Sequence, residues 1–512
     1  MEYMESNTKK NSGQAVWQVL ASLCLFCMIS AQPLLTETMF AGKHYFVSPQ
    51  GDDETGTGTF EKPWQTIHKA LHTIPSAQDD AAIVIRGGTY KIPKTMHFDA
   101  LRGGSEGKFF TVKSFKDEEV IIDGSLLAGR FSAMASLSST AYVRLKGLTF
   151  ANLKGQKSGI LIEGNSHHIR IVNNTLRDMT WAEKASDNEQ NPKPSDKLSP
   201  IAVIGNHPTQ AVNNIFIRGN TISNIISGSS GGIKITGNVM GFIVSKNHLS
   251  NIANTGIVAS GNYPWVIDAT GVRIPNKVNH ARNGVIQNNV VHDTVSPVAN
   301  SAGIYLDGAR NITVKGNTSY NNAVGFSVGC EQPGDATGNT IRDNLAYDNI
   351  GAGLVVGTTH AGAVVNNTSI LNNEFRNNNA KGSYGGEMII RTVNGLVVRN
   401  NLFSSRSDLM IVASQPSTNM ELNNNLYYGI SNNANNAVFD WSGVDRASYI
   451  GLQSYQAATC HDLSSIYHDA TTVKYFDKIK GNLIIKSGRN AGAKSNELRE
   501  IKRACYKGTS IW

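Results

Sequence analysis

Short runs in which apolar and variable residues alternate recur along most of the 512-residue chain. One set reads SGILIEGN (158–165), SPIAVIGN (199–206), GGIKITGN (231–238), TGIVASGN (255–262), AGIYLDGA (302–309), VGFSVGCE (324–331) and AGLVVGTT (352–359). GEMIIRTV (386–393) and DLMIVASQ (408–415) continue it more loosely. Period-two alternation predicts strands with one buried face. Ile160, Ile201, Ile233, Ile257, Ile304, Phe326 and Leu354 then point inward, as do the residues two further on. Lys234, Tyr305, Ser260, Asp307, Gly329 and Arg391 fall on the outward positions.

A second set lies between the members of the first: IRIVNNTL (169–176), IFIRGNTI (215–222), FIVSKNHL (242–249), GVIQNNVV (284–291), ITVKGNTS (312–319), NTIRDNLAY (339–347), LVVRNNLF (396–403) and MELNNNLY (420–427). The shortest repeat, Gly303 to Gly325, leaves room for two or three short strands and their turns and for no long helix. That is the rung of a parallel β-solenoid. The recurring Asn suits a tight corner, since it tolerates the left-handed backbone and can bond its neighbours above and below. A β-propeller, with four antiparallel strands per ~40-residue blade, is the competing fold.

These repeats resemble the pectate-lyase-like superfamily of right-handed parallel β-helices. The opening HYFVSPQGDDETGTGTFEKPWQTIHKAL (44–71) and the following AAIVIRGGTYKI (81–92) are similar to the start of many exported polysaccharide lyases and glycoside hydrolases of that superfamily. The resemblance spans roughly residues 44–430 and implies an all-β fold: a single-stranded solenoid with an N-terminal cap, in which the amphipathic PWQTIHKALHTI closes the open end, and a mixed C-terminal cap. The expected divisions are 1–31 signal peptide, 42–130 cap and first rungs, 131–440 β-helix and 441–512 C-terminal cap, with NLIIKSGRNAGAKS as a closing segment. The fold hosts several chemistries, so the reaction has to come from the site.

Asp307 is the outward residue that asks for a function. Its neighbours on adjoining rungs, Ser260 and Gly329, are small and leave room for a ligand across the sheet. Glu331 follows two residues after Gly329. With rungs ~4.8 Å apart, the two carboxyl groups come within about 5–9 Å, the span of paired carboxylates in glycoside hydrolysis. One stays ionised as nucleophile or base; the other is held protonated to donate to the leaving oxygen. Related β-helix glycosidases carry an Asp with a Glu about one rung later. Their Glu aligns nearer residues 327–329, so Glu331 departs from the pattern. The structural alternative makes Asp307 a cap of the turn DGARN and Glu331 a solvated loop residue.

Lys234 lies two rungs before Tyr305 and offers a second chemistry. Lyases of this fold remove the proton alpha to a uronate carboxylate with a Lys or Arg, often with calcium. Such a base needs a lowered pKa, and the metal needs clustered carboxylates. No tight acidic cluster stands beside Lys234, which reads as a solvated surface lysine or, with Arg391, as a binder of acidic sugar groups. Long insertions at 181–198 and 262–283 are expected cleft walls. Trp181, Tyr263 and Trp265 supply flat faces for sugar rings, Tyr305 holds sugar, and His280, Arg282 and His292 are polar candidates.

The remaining features set compartment and partners. Lys9 and Lys10 precede the apolar run 15–30, which ends in Ser30 and Ala31, the layout of a cleaved secretory signal. The expected location is secreted or periplasmic, with no stable membrane insertion after cleavage. Its excess of basic side chains, net +8, suits an anionic polysaccharide, though over so large a surface it also serves solubility. Of the cysteines past the signal, Cys460 and Cys505 would pair, leaving Cys330 free. There is no phosphate-cradling loop, no zinc spacing and no basic–aromatic module for nucleic acid. The expected activity is cleavage of glycosidic bonds in a polysaccharide or oligosaccharide, hydrolysis favoured and no cofactor needed. The alternatives are β-elimination or epimerisation of uronates, where a lyase could use calcium, and a non-catalytic glycan-binding or adhesion solenoid.

Overall fold

The computed structural model describes residues 42 to 467 apart from 75–79, 184–190, 192, 194–196, 297–300, 383–384 and 430–433, together with 501, 502, 504 and 505. The signal segment, most of the 181–198 insertion and the segment 482–495 lie outside these residues.

Among them the chain winds repeatedly through three sheets of 15, 13 and 13 strands. Sheet 1 begins at His44–Val47, sheet 2 at Met96–Phe98 and sheet 3 at Gly88–Lys91. The pairings between named strands are parallel except where Val438–Asp440 meets Ser448–Ile450 near the C-terminal end. That excludes the propeller. The nine segments of the first repeat set are consecutive strands of sheet 2, from Ser158–Glu163 to Leu409–Ala413. Their pairing keeps phase: Ile257, Ile304, Phe326 and Leu354 stand in one column, and Ser260, Asp307 and Gly329 in another. The inward columns are essentially solvent-free and form one continuous core. Each such Ile, Leu or Val contributes about 1.5–3 kcal/mol on burial.

The helix Ile67–Thr73 starts where Thr66 caps it, its hydroxyl accepting from the Lys69 N–H, and buries Ile67, Ala70 and Leu71 against the first rungs. At the other end Cys460 and Cys505 are disulfide-bonded and Cys330 is free and buried.

The corner asparagines divide the two duties that the sequence reading gave to one residue. The first residue of each pair takes the left-handed backbone: Asn173, Gly219, Lys246, Asn288, Gly316, Asp343, Asn372, Asn400 and Asn424 all have φ between 53° and 67°. The second residue turns inward and builds a ladder through Asn174, Asn220, Asn247, Asn289, Asn317, Asn344, Asn373, Asn401 and Asn425. Each ladder amide donates to the next side-chain oxygen, which also accepts the preceding backbone N–H. The last, Asn425, donates to Asp462 at 2.8 Å, where Tyr427, Tyr455 and Ser465 donate as well.

A shorter ladder, Asn322–Asn349–Asn378, ends on Glu387, which accepts both the Asn378 N–H and its side-chain amide. Glu387 is fully buried, and burial pushes its carboxyl up to about 8. Its folded pKa lies above the unfolded one, so its stabilising effect is complete below the ordinary Glu range and lost as pH rises through about 8. Glu387→Gln keeps the acceptor and removes the charge. It is expected to stabilise the fold by about 2–4 kcal/mol at pH 9 and to change it by less than about 1 kcal/mol at pH 4.5, as read by urea titration. Equal effects at both pH values would contradict a buried titrating carboxyl.

Candidate active site

Asp307 ends the strand Ala302–Asp307, pointing away from the core as the alternation requires, yet it is only 2% exposed. Two neighbours cover it. The backbone N–H of Glu331 donates to Asp307 Oδ1 at 2.8 Å, and the Tyr263 hydroxyl donates to Oδ2 at 2.5 Å. That same hydroxyl lies 3.2 Å from Glu331 Oε2, and the Tyr305 hydroxyl donates to Glu331 Oε1 at 3.1 Å. Two carboxylates sharing one phenol bring their nearest oxygens within about 6 Å.

Backbone geometry makes the cluster possible. Gly329 sits beside Asp307 in register, and a Cβ there would stand 3.0 Å from the Tyr305 hydroxyl. A side chain at this position would press Tyr305 off Glu331. Asn262, at the root of the 262–283 loop, seats itself against Gly308 and Gly334, both with positive φ, where a Cβ would come within 2.7 Å of its side chain. Asn279 Nδ2 donates to the Tyr263 carbonyl at 2.9 Å and ties the loop's far end back to Tyr263.

The electrostatics follow from burial and crowding. Burial first, then the Glu331 charge, pushes the Asp307 carboxyl up to about 7, against the hydrogen bonds from Tyr263 and the Glu331 N–H. Burial and the two carboxylates raise both phenols, so Tyr263 and Tyr305 remain donors. Lys234 is in register with Val258 and so with Tyr305. It is half-buried rather than solvated, with Nζ 4.4 Å from the centre of the Trp265 ring. Burial and the nearby Lys197 bring it down to about 7, opposed by Asp307.

The other sequence candidates are placed as follows. Trp265 is half-buried and its ring holds the Lys197 and Lys234 ammonium groups, which compete with any sugar for its faces. Trp181 is 7% exposed and belongs to the core, not to a cleft wall. His280 is buried, its Nδ1 without a partner, and burial with Arg310 and Arg282 brings it down to about 4. Arg282 donates to Asn238 Oδ1 at 2.9 Å and lies on the pairing edge of sheet 1. His292 is on sheet 3, bonded to His248 and Asp293 and stacked on Tyr320, away from the face that carries Asp307. Arg391 follows Met388–Ile390, three strands beyond Asp307 in the same sheet, and is half-buried. Lys197 escaped the sequence reading because it precedes the alternating run, where no period marks its direction.

Calcium, which the lyase alternative could use, finds no fitting donor set among the described residues. The cluster offers two carboxylates already engaged by phenols, and no group of three or more His, Cys, Asp or Glu side chains is placed for a metal among the described residues. A cleft of about 440 Å³ beside Thr66, His68, Tyr90 and Lys94 has no carboxylate in its lining. No helix among the described residues is long and apolar enough to cross a membrane.

Three parallel sheets wound around one core, with a carboxylate pair on the outside of one of them, define the class as a parallel β-helix bearing a surface site. Residues 136–370 match the family model described as "Right handed beta helix region". The chain is 30% identical over 451 residues to the uncharacterized protein YwoF of Bacillus subtilis, covering 84% of this chain and 88% of that protein. It is 33% identical over 84 residues to pectate lyase PEL9 of Emericella nidulans, covering 16% of this chain and 19% of that protein. The GH136 lacto-N-biosidase from Eubacterium ramulus shares the fold with a TM-score of 0.52 at 13% identity, over 82% of this chain and 72% of that one. The chain belongs to the pectate-lyase-like superfamily of right-handed parallel β-helix proteins.

Proposed function

We propose that this protein is an exported carbohydrate-active enzyme that hydrolyses glycosidic bonds of a polysaccharide or oligosaccharide through Asp307 and Glu331. The observation that carries the reading is the Tyr263 hydroxyl held between the two carboxylates, at 2.5 and 3.2 Å. A separation under about 6 Å is that of a retaining pair, too close to admit a water on the opposite face of the sugar. The buried member, Asp307, keeps its proton to near neutral pH and serves as general acid to the leaving oxygen. Glu331, exposed beside it, attacks the anomeric carbon. The glycosyl–enzyme ester so formed is released by water, with Asp307 now acting as base. Tyr263 has to leave Asp307 for the glycosidic oxygen to take its place, and Tyr305 then steadies Glu331.

One observation favours a second reading. Lys234, held near 7, would be largely neutral at mildly alkaline pH and able to take a proton in β-elimination on a uronate. The two separate on products. Incubation of the mature chain with neutral and uronate-rich polysaccharides, followed by mass analysis, should give saturated fragments with new reducing ends. Fragments lighter by one water, absorbing near 235 nm, would assign the chemistry to elimination and to Lys234.

A further inference from the structure

We propose that Lys197 and Lys234 form a receptor for an anionic substituent, a carboxylate or sulfate, on the sugar bound next to the Asp307–Glu331 pair. The proposal rests on the carbohydrate reading above and names the class of glycan this site takes. Lys197 lies just ahead of Ser199–Gly205, where its backbone bridges Gly228; Lys234 stands on the outer face of Gly231–Gly237. Two strands that are not neighbours in sequence thus bring their ammonium groups to one indole, at 4.7 and 4.4 Å from the Trp265 ring centre. The two charges are therefore no more than about 9 Å apart.

Neither ammonium pairs with a described carboxylate. Lys157, by contrast, is 6% exposed and has both the Lys154 carbonyl at 2.7 Å and Glu183 at 3.6 Å. A half-buried cation without such partners costs free energy, and a second cation beside it adds repulsion. The indole face offsets part of that for each cation. An anion between the two would remove the repulsion and supply two charge-assisted hydrogen bonds.

The charges along the sheet are also ordered. The cations come first, and the carboxylate pair follows two rungs later, ~10 Å along the axis. An acidic group at Lys197 and Lys234 thus sits on a sugar adjacent to the bond broken rather than against Asp307 itself.

The test uses the mature chain and three acidic polymers, polygalacturonate, alginate and heparin, each beside its carboxyl-reduced or desulfated counterpart, by isothermal titration at 50 and 300 mM NaCl. The acidic form of at least one polymer should bind about tenfold or more tighter than its counterpart, with a preference that shrinks at high salt. Lys197→Gln should remove most of that preference and leave the counterpart's affinity unchanged; Lys197→Arg should keep it. Binding at pH 8 should take up protons, because Lys234 regains its proton against the anion. Loss of preference on carboxyl reduction identifies a carboxylate, and loss on desulfation a sulfate. Equal affinity for a polymer and its counterpart, or a preference that survives Lys197→Gln, would overturn the proposal and leave the hydrolase reading standing. Binding to none of the six polymers would likewise overturn the receptor, while the hydrolase reading is decided by the product analysis above.

Discussion

Asp307→Asn is expected to lower turnover by about 10²–10⁴-fold on a natural glycan, the range that positioned acid–base groups supply. Asn keeps one acceptor, for the Glu331 N–H, and turns its amide N–H toward the Tyr263 hydroxyl oxygen, but it has no acidic proton for the leaving oxygen. KM should move by less than about threefold, since the lost interaction belongs to the transition state. The loss should shrink on substrates with an acidic aryl leaving group, which departs without protonation. The fold should not suffer, and linkage gives the sign. The Asp307 carboxyl is raised to about 7, so its charged form is what the fold resists, and its stabilising effect fades as pH rises through that value. The variant should therefore melt at or above the parent's temperature at pH 8. Turnover within fivefold of the parent would remove Asp307 from the chemistry.

The second large effect lies in the ladder. Asn401→Ala is expected to cost about 3–5 kcal/mol, whereas Asn400→Ala, one residue earlier, should cost only about 1–2 kcal/mol. Asn401 is solvent-free. It accepts from the backbone and side chain of Asn373, and it donates to the Ile370 carbonyl at 2.9 Å and to Asn425 Oδ1 at 3.1 Å. Truncation strands those groups in a water-free interior. Asn400 is exposed and is there for its backbone, φ 57°, so Asn400→Gly should be close to neutral. Denaturant titration of the three variants checks the ranking. Equal costs at the two positions would mean that the ladder bonds add nothing beyond the turn.

The strands were legible because each has one wet and one dry face, so Ile257, Ile304 and Phe326 declared their direction through period two alone. The same rule placed Lys234 and Asp307 on the outside. It did not show that Asp307 is covered, because the cover comes from Tyr263 in an insertion whose path no repeat specifies. The paired Asn at the corners announced a turn and a ladder, but which residue did which depends on φ, and a sequence does not print φ. Trp181 and Trp265 read alike as flat apolar faces. One is sealed in the core and the other is occupied by two lysines, a difference made by side chains that meet across rungs far apart in the chain. Glu331 was reachable through its distance from Gly329, since one rung of a β-helix is a fixed step. Lys197 was not, since it lies outside any alternating run.

The most direct test of the paired-carboxylate account is the anomeric configuration of the first sugar released. Proton NMR of a fresh digest of a cleaved glycan, recorded before mutarotation, should show the configuration of the bond that was broken, as a carboxylate pair within about 6 Å requires. The opposite anomer, or an unsaturated sugar in its place, would contradict the account.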